Sequence, residues 1–133
     1  MPEMPEVQGL VDFLNIRLNG RTITRVNVAN IAALKTYDPP VESIKGATVS
    51  TVTRHGKFIN ITTSDAHVAF HLAKAGWLRW HDTLTTTIIR PGKTPIALRV
   101  GFDDGSGFDL TEAGTKKSLA VYVVREPTSV PGI

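Results

Sequence analysis

Residues 49–72 read VSTVTRHGKFINITTSDAHVAFHL, and this stretch decides the fold. Val49 and Val52 open a first run rich in β-branched residues, Phe58, Ile59 and Ile61 a second, and Val68, Phe70 and Leu72 alternate in a third. Short runs of this kind, separated by turn residues, are strands. His55-Gly56 is a hairpin turn between the first two runs, and Ser64-Asp65-Ala66 turns into the third. Downstream, Gly76 punctuates before Trp77-Leu78-Arg79-Trp80, and Ile96, Leu98 and Val100 mark a further strand. Asp103-Asp104-Gly105-Ser106-Gly107 then turns the chain back through Phe108 and Leu110, and Leu119 to Val124 is the last strand. Upstream, Ile23, Val26 and Val28 begin the β-rich part. Ahead of them Val7, Leu10, Val11, Leu14 and Leu18 recur at helical spacing, with Pro5 in the first turn and Asn19-Gly20 as the stop. Ile31 to Glu42, with Pro39-Pro40, reads as a long connection or a short helix. The expected fold is mainly β with an N-terminal helix: a two-sheet β-sandwich or flattened barrel with the helix packed at one end.

At 133 residues the chain has room for one domain. Hydrophobic residues at 41% and charged residues at 20% give it globular composition, which argues against disorder. With no cysteine, a disulfide scaffold, a thiol nucleophile and a cysteine zinc site are excluded within the chain. Fifteen Lys and Arg against twelve Asp and Glu leave a net charge of +3, which permits an anionic partner such as nucleic acid. No apolar run approaches the ~20 residues of a membrane span, and no basic-then-apolar leader opens the sequence, so no membrane partner is expected and the cytoplasm is the expected location.

The chemistry concentrates at two places. If Met1 is removed, Pro2 becomes a secondary amine that attacks an electrophilic carbon and forms an iminium, an electron sink like a lysine Schiff base. An α-amine titrates near roughly pH 7.7–8.0, so a neutral fraction is at hand. Glu3, beside it, is suited to shuttle protons. The same residues also serve simply to begin a helix, Glu3 and Glu6 facing the positive end of its dipole. The second place is Arg54-His55-Gly56-Lys57 at the hairpin tip, which reads either as a phosphate grip or as an exposed basic turn. His55, His67, His71 and His81 show no metal-ligand pairing, so no metal is expected. No small-molecule cofactor is expected either: phosphate-cradling glycine loops are absent.

Together these residues resemble the N-terminal domain of the formamidopyrimidine-DNA glycosylase / endonuclease VIII family. Met1-Pro2-Glu3-Met4-Pro5-Glu6-Val7 differs from the family's Met-Pro-Glu-Leu-Pro-Glu-Val by one conservative exchange. Val52-Thr53-Arg54-His55-Gly56-Lys57-Phe58 is similar to its basic hairpin, and His71-Leu72-Ala73-Lys74-Ala75-Gly76 to its His-Leu-Gly-Met-Ser-Gly. The resemblance implies base excision repair on damaged double-stranded DNA in bacteria, at the nucleoid when acting. A bifunctional glycosylase/AP lyase would use Pro2 as nucleophile, Glu3 as acid/base, Glu6 in support and Lys57 as both phosphate grip and catalytic aid. Arg54, His71, Lys74, Lys116 and Lys117 complete the DNA-contacting set.

Two departures stand out. Lys74 occupies the position of the family's intercalating Met. Thr111-Glu112-Ala113-Gly114-Thr115-Lys116-Lys117 replaces the Asp-Pro-Arg-Arg-Phe-Gly loop that fills the emptied stack. These departures support an alternative, a damaged-DNA-binding module that does not cut. A proline-dependent tautomerase fits less well, since Pro2 leads into a helix and the basic hairpin has no role there. The expected organisation is a catalytic domain over 1–126 and the start of an interdomain linker over 127–133. A helix–two-turn–helix and a zinc finger, with the zinc, are expected outside the chain. Without that second wall of the cleft, weak or no excision is expected from these residues alone.

Overall fold

The computed structural model describes residues 3–87, 89–91 and 94–133. Helix α1 (Met4–Leu18) is followed by β1 (Ile23–Val28), β2 (Val49–His55), β3 (Phe58–Thr63), β4 (His67–His71), β5 (Gly76–His81), β6 (Ile96–Phe102), β7 (Gly107–Glu112) and β8 (Ala120–Val124). The strands pair antiparallel into two four-stranded sheets, ordered β1-β6-β7-β5 and β2-β3-β4-β8. The architecture is the two-sheet sandwich that the sequence predicts.

Alternation along the strands builds the core. Ile59, Ile61, Val68 and Phe70 face Leu78, Leu98, Val100, Phe108 and Leu110 across the gap. The sheets meet at Phe70 and Phe108, both fully buried, with ring centroids 6.4 Å apart. Burial of each such ring is worth about 2–3 kcal/mol.

Helix α1 buries Val7, Val11, Leu14 and Leu18, the face that its apolar spacing predicts. It lies along β2, an edge strand whose free backbone would otherwise invite pairing. Asn15 takes up that edge: its Nδ2 donates to the Val52 carbonyl at 2.6 Å, and the Val52 N–H donates to its Oδ1 at 2.8 Å. Beyond Asn19 the chain joins the same strand, the Gly20 N–H donating to the Val49 carbonyl at 2.8 Å.

The β2–β3 hairpin pairs His55 with Phe58, so its loop is Gly56-Lys57, one residue later than the sequence suggests. Gly56 has φ +59° in the first loop position, where a two-residue hairpin calls for positive φ. The 31–42 segment, read as a long connection or a short helix, is a connection that carries short 3₁₀ helices. It holds a 3₁₀ turn at Ile31–Ala33, capped by Asn30 Oδ1, and another begins at Val41. The 127–133 segment, expected as the start of a linker, folds back onto the outer face of β3-β4-β8. Val130 is 2% exposed and clusters with Ala69 and Val124 against Phe58, Tyr122 and Ile133. A single buried valine carries no periodicity, so the sequence alone did not signal this docking.

Candidate functional site

The first turn of α1 and the tip of the β2–β3 hairpin meet. Pro2 lies outside the described residues. Glu3 stands just before α1, where its backbone N–H donates to Glu6 Oε1 at 3.0 Å, so Glu6 fixes the entry of the chain into the helix. Lys57 Nζ lies 3.9 Å from Glu3 Oε2. The two groups come from places 54 residues apart because α1 packs along β2, and β2 ends at the hairpin. Arg54 spans the same junction. Its Nε donates to Gln8 Oε1 at 2.8 Å, and its Nη1 donates to the Gly56 carbonyl at 2.9 Å.

His71 is paired with Phe58 in the β3–β4 ladder, which sets it beside Lys57. The two rings meet edge-on with centroids 5.1 Å apart. Burial, aided by the Lys57 charge, holds the imidazole below its ordinary pKa, so it is neutral at neutral pH. The Ala73 N–H donates to Nδ1 at 3.0 Å, which puts the ring proton on Nε2 and makes Nε2 a donor. A hollow of about 440 Å³ is lined by Lys57, Phe58, His71 and the tail residues Gly132 and Ile133.

Ala73 delivers that N–H from a left-handed backbone, φ +59°, which costs an alanine about 1–2 kcal/mol. Nearby Gly76 has no latitude either: a Cβ there would sit 2.0 Å from the Leu72 carbonyl oxygen. Ala73→Gly is therefore expected to stabilise the protein by about 0.5–1 kcal/mol, the relief of strain exceeding glycine's greater unfolded-state entropy. Thermal unfolding reads this as a rise of about 2–4 °C; a fall in Tm would show that the site is relaxed as it stands.

On its other side His71 borders a hollow of about 640 Å³ that Lys74 and Lys116 also line. Lys117 turns elsewhere, its Nζ donating to the Glu112 carbonyl at 2.6 Å. The loop owes its shape to Glu112, a residue that sequence reasoning noted only as part of a divergent segment. Glu112 is 2% exposed, and its Oε2 accepts the Ser118 and Leu119 N–H groups at 2.7 and 2.8 Å. An acidic residue followed by a Gly-containing loop was the available signal. Lys57, Glu3, Glu6, Arg54 and His71 are thus gathered at one site, Lys74 and Lys116 flank it, and Lys117 braces a loop.

Among the described residues no three His, Asp or Glu side chains group as metal ligands, and the chain has no cysteine. The described residues do not fit a zinc ion. Among the described residues no helix is long and apolar enough to cross a membrane.

A two-sheet sandwich, entered by a helix whose acidic first turn faces a basic hairpin, is a fold this chain shares with solved Fpg structures. The Lactococcus lactis Fpg (MutM) in complex with FAPY-dG-containing DNA superposes with a TM-score of 0.80 at 19% identity, over 97% of this chain and 46% of that one. The same protein with abasic-site DNA gives 0.79 at 20% identity, over 98% and 46%. The family profile described as formamidopyrimidine-DNA glycosylase N-terminal domain matches residues 1–118, and the chain belongs to that family. The formamidopyrimidine-DNA glycosylase of Ralstonia nicotianae is 35% identical over 128 residues, covering 96% of this chain and 43% of that protein. That of Exiguobacterium is 31% identical over 90 residues, covering 66% and 33%. The chain therefore spans less than half the length of these relatives.

Proposed function

We propose that the chain is the catalytic N-terminal domain of a bifunctional DNA glycosylase/AP lyase acting on damaged double-stranded DNA. The observation that carries this reading is the meeting of Glu3 and Lys57, 3.9 Å apart, at the helix start that follows Pro2. Pro2, freed by removal of Met1, attacks C1′ of the damaged nucleotide. The N-glycosidic bond breaks, its electron pair leaves with the base, and the base takes up a proton. The proline nitrogen then loses its proton and the C1′–O4′ bond breaks, O4′ taking up a proton, which opens the sugar and leaves an iminium. This iminium draws electrons as a C2′ proton departs and the C3′–O bond breaks, its electron pair leaving with the phosphate and cutting the strand. Glu3 moves protons at the sugar ring, and Glu6 holds Glu3 in place through its backbone. Lys57 and the Nε2–H of His71 hold phosphate oxygens beside the lesion. Lys74 and Lys116 face the space that the flipped nucleotide vacates. The zinc that the family resemblance implies belongs to a zinc finger outside these residues.

Intact mass spectrometry tests this. Chain with Met1 removal confirmed by mass is mixed with an abasic-site duplex and sodium borohydride. A preformed abasic site needs only the amine, so trapping does not depend on a complete cleft. The expected product is one covalent adduct on the Pro2 peptide. DNA binding with no adduct at Pro2 would overturn the lyase reading and leave a binding module.

A further inference from the structure

We infer that Arg54 and Gln8 form a brace that sets the position of the α1 N-terminus against the hairpin tip, and that Arg54 is a positioning residue rather than a phosphate contact. The inference rests on the function proposed above. Its first support is how the guanidinium is used. Nε donates to Gln8 Oε1 at 2.8 Å, in the second turn of the helix. Nη1 donates to the Gly56 carbonyl at 2.9 Å and lies 3.6 Å from Met4 Sδ. One planar group thus contacts the first two turns of α1 and the residue before Lys57. Its second support is geometric economy. Glu3 and Lys57 approach each other from separate elements, at a distance too long for a direct hydrogen bond to lock. Asn15 ties α1 to β2 further along the helix, and among the described residues Arg54 supplies hydrogen bonds between the helix and the hairpin close to the reacting end. Gln8 is itself oriented, its Nε2 donating to Asp12 Oδ1 at 2.9 Å, which leaves Oε1 as the acceptor for Arg54.

A guanidinium reaches two acceptors at fixed angles, whereas an ammonium is a point charge. Arg54→Lys therefore keeps the charge and loses the brace. In the brace reading, Arg54→Lys, Arg54→Met and Gln8→Leu all slow borohydride trapping by about ten- to a hundredfold. The double variant Arg54→Met/Gln8→Leu is no slower than either single one. In Arg54→Lys and Gln8→Leu, which leave the charge in place, affinity for an abasic-site duplex and its salt dependence stay at the wild-type values. A phosphate contact predicts the reverse: Arg54→Lys rescues, Gln8→Leu is silent, and the slope of log K against log salt shrinks by about 0.9. Amide hydrogen exchange supplies a readout free of chemistry. Gln8→Leu should speed exchange at the start of α1 and at Gly56-Lys57 together, with β4 and β8 unchanged. Exchange confined to the helix would overturn the brace whatever the trapping shows. Wild-type chain that binds duplex but forms no adduct would overturn the proposed function instead, and the exchange and salt-slope results would still decide the brace.

Discussion

Asp109→Ala is expected to lower the stability of the protein by about 3–5 kcal/mol. Asp109 and Arg99 are paired directly across β6 and β7, on the sheet face away from Val100 and Phe108. They are 3% and 5% exposed. Arg99 Nε donates to Oδ1 at 2.6 Å and Nη2 donates to Oδ2 at 2.9 Å, a two-pronged grip. His81 Nε2 lies 3.0 Å from the same Oδ2. The chain after β5 crosses this face: the Leu84 N–H donates to the Gly105 carbonyl at 2.8 Å. Leu84 lies so close that a Cβ on Gly107 would meet its Cδ2 at 2.8 Å. Removing the carboxylate leaves a guanidinium that does not deprotonate buried without its counter-charge. Replacing both partners, as Arg99→Met/Asp109→Leu, should cost much less than Asp109→Ala alone, because no unpaired charge remains. Urea unfolding of Asp109→Ala, of the double variant and of its two single components, Arg99→Met and Asp109→Leu, measures this. A double variant as unstable as the sum of its parts would show that the pair contributes packing rather than compensation of charge.

The same pair fixes the sign of an acid effect. Burial alone would raise the Asp109 pKa, but the hydrogen bonds and charge of Arg99, with His81, outweigh it and hold the carboxyl below its ordinary value. The folded state therefore binds this proton more weakly than the unfolded chain. The resulting stability is fully present above the unfolded pKa of about 3.9 and is lost as pH falls through the folded one. The difference between wild type and Asp109→Ala should hold steady at neutral pH and narrow only below about pH 4.

The parts of the fold that were legible in the sequence are those set by neighbouring residues. The helical spacing from Val7 to Leu18, the hairpin at His55 to Phe58 and the turn at Asp103 to Gly107 each carry their own signal. What could not be read depends on pairings between distant residues. Arg99 and Asp109 lie ten positions apart and look like two ordinary charged residues until register aligns them. Val130 gives no pattern, yet it seals an outer face. The candidate site divides the same way. Lys57 and Glu3 stand in recognisable segments, whereas the contact of Arg54 with Gln8 crosses 46 positions. The differing paths of Lys116 and Lys117 follow from the way Glu112 closes their loop.

Glu3→Gln should slow adduct formation on an abasic-site duplex by about 10²–10⁴-fold, the range that a positioned proton shuttle contributes. The substitution removes the ionisable oxygen and little else. Glu3 holds the start of α1 through its backbone N–H, which reaches Glu6 Oε1, and through its side-chain oxygen, which accepts the Glu6 N–H; the amide oxygen of Gln keeps both. The Glu3 side chain is 69% exposed and 3.9 Å from Lys57, so the ion pair contributes less than about 1 kcal/mol to stability. Unfolding should accordingly be unchanged. Binding should be unchanged or slightly tighter, because a negative charge has been taken from a surface that faces phosphates. Lys57→Met is the contrast, weakening binding and lowering its salt dependence as well as slowing the reaction. Single-turnover trapping on an abasic duplex, run beside a binding titration at two salt concentrations, separates the two residues. A Glu3→Gln rate within about threefold of wild type, far short of the shuttle range, would remove Glu3 from the chemistry and leave it as a helix-entry residue.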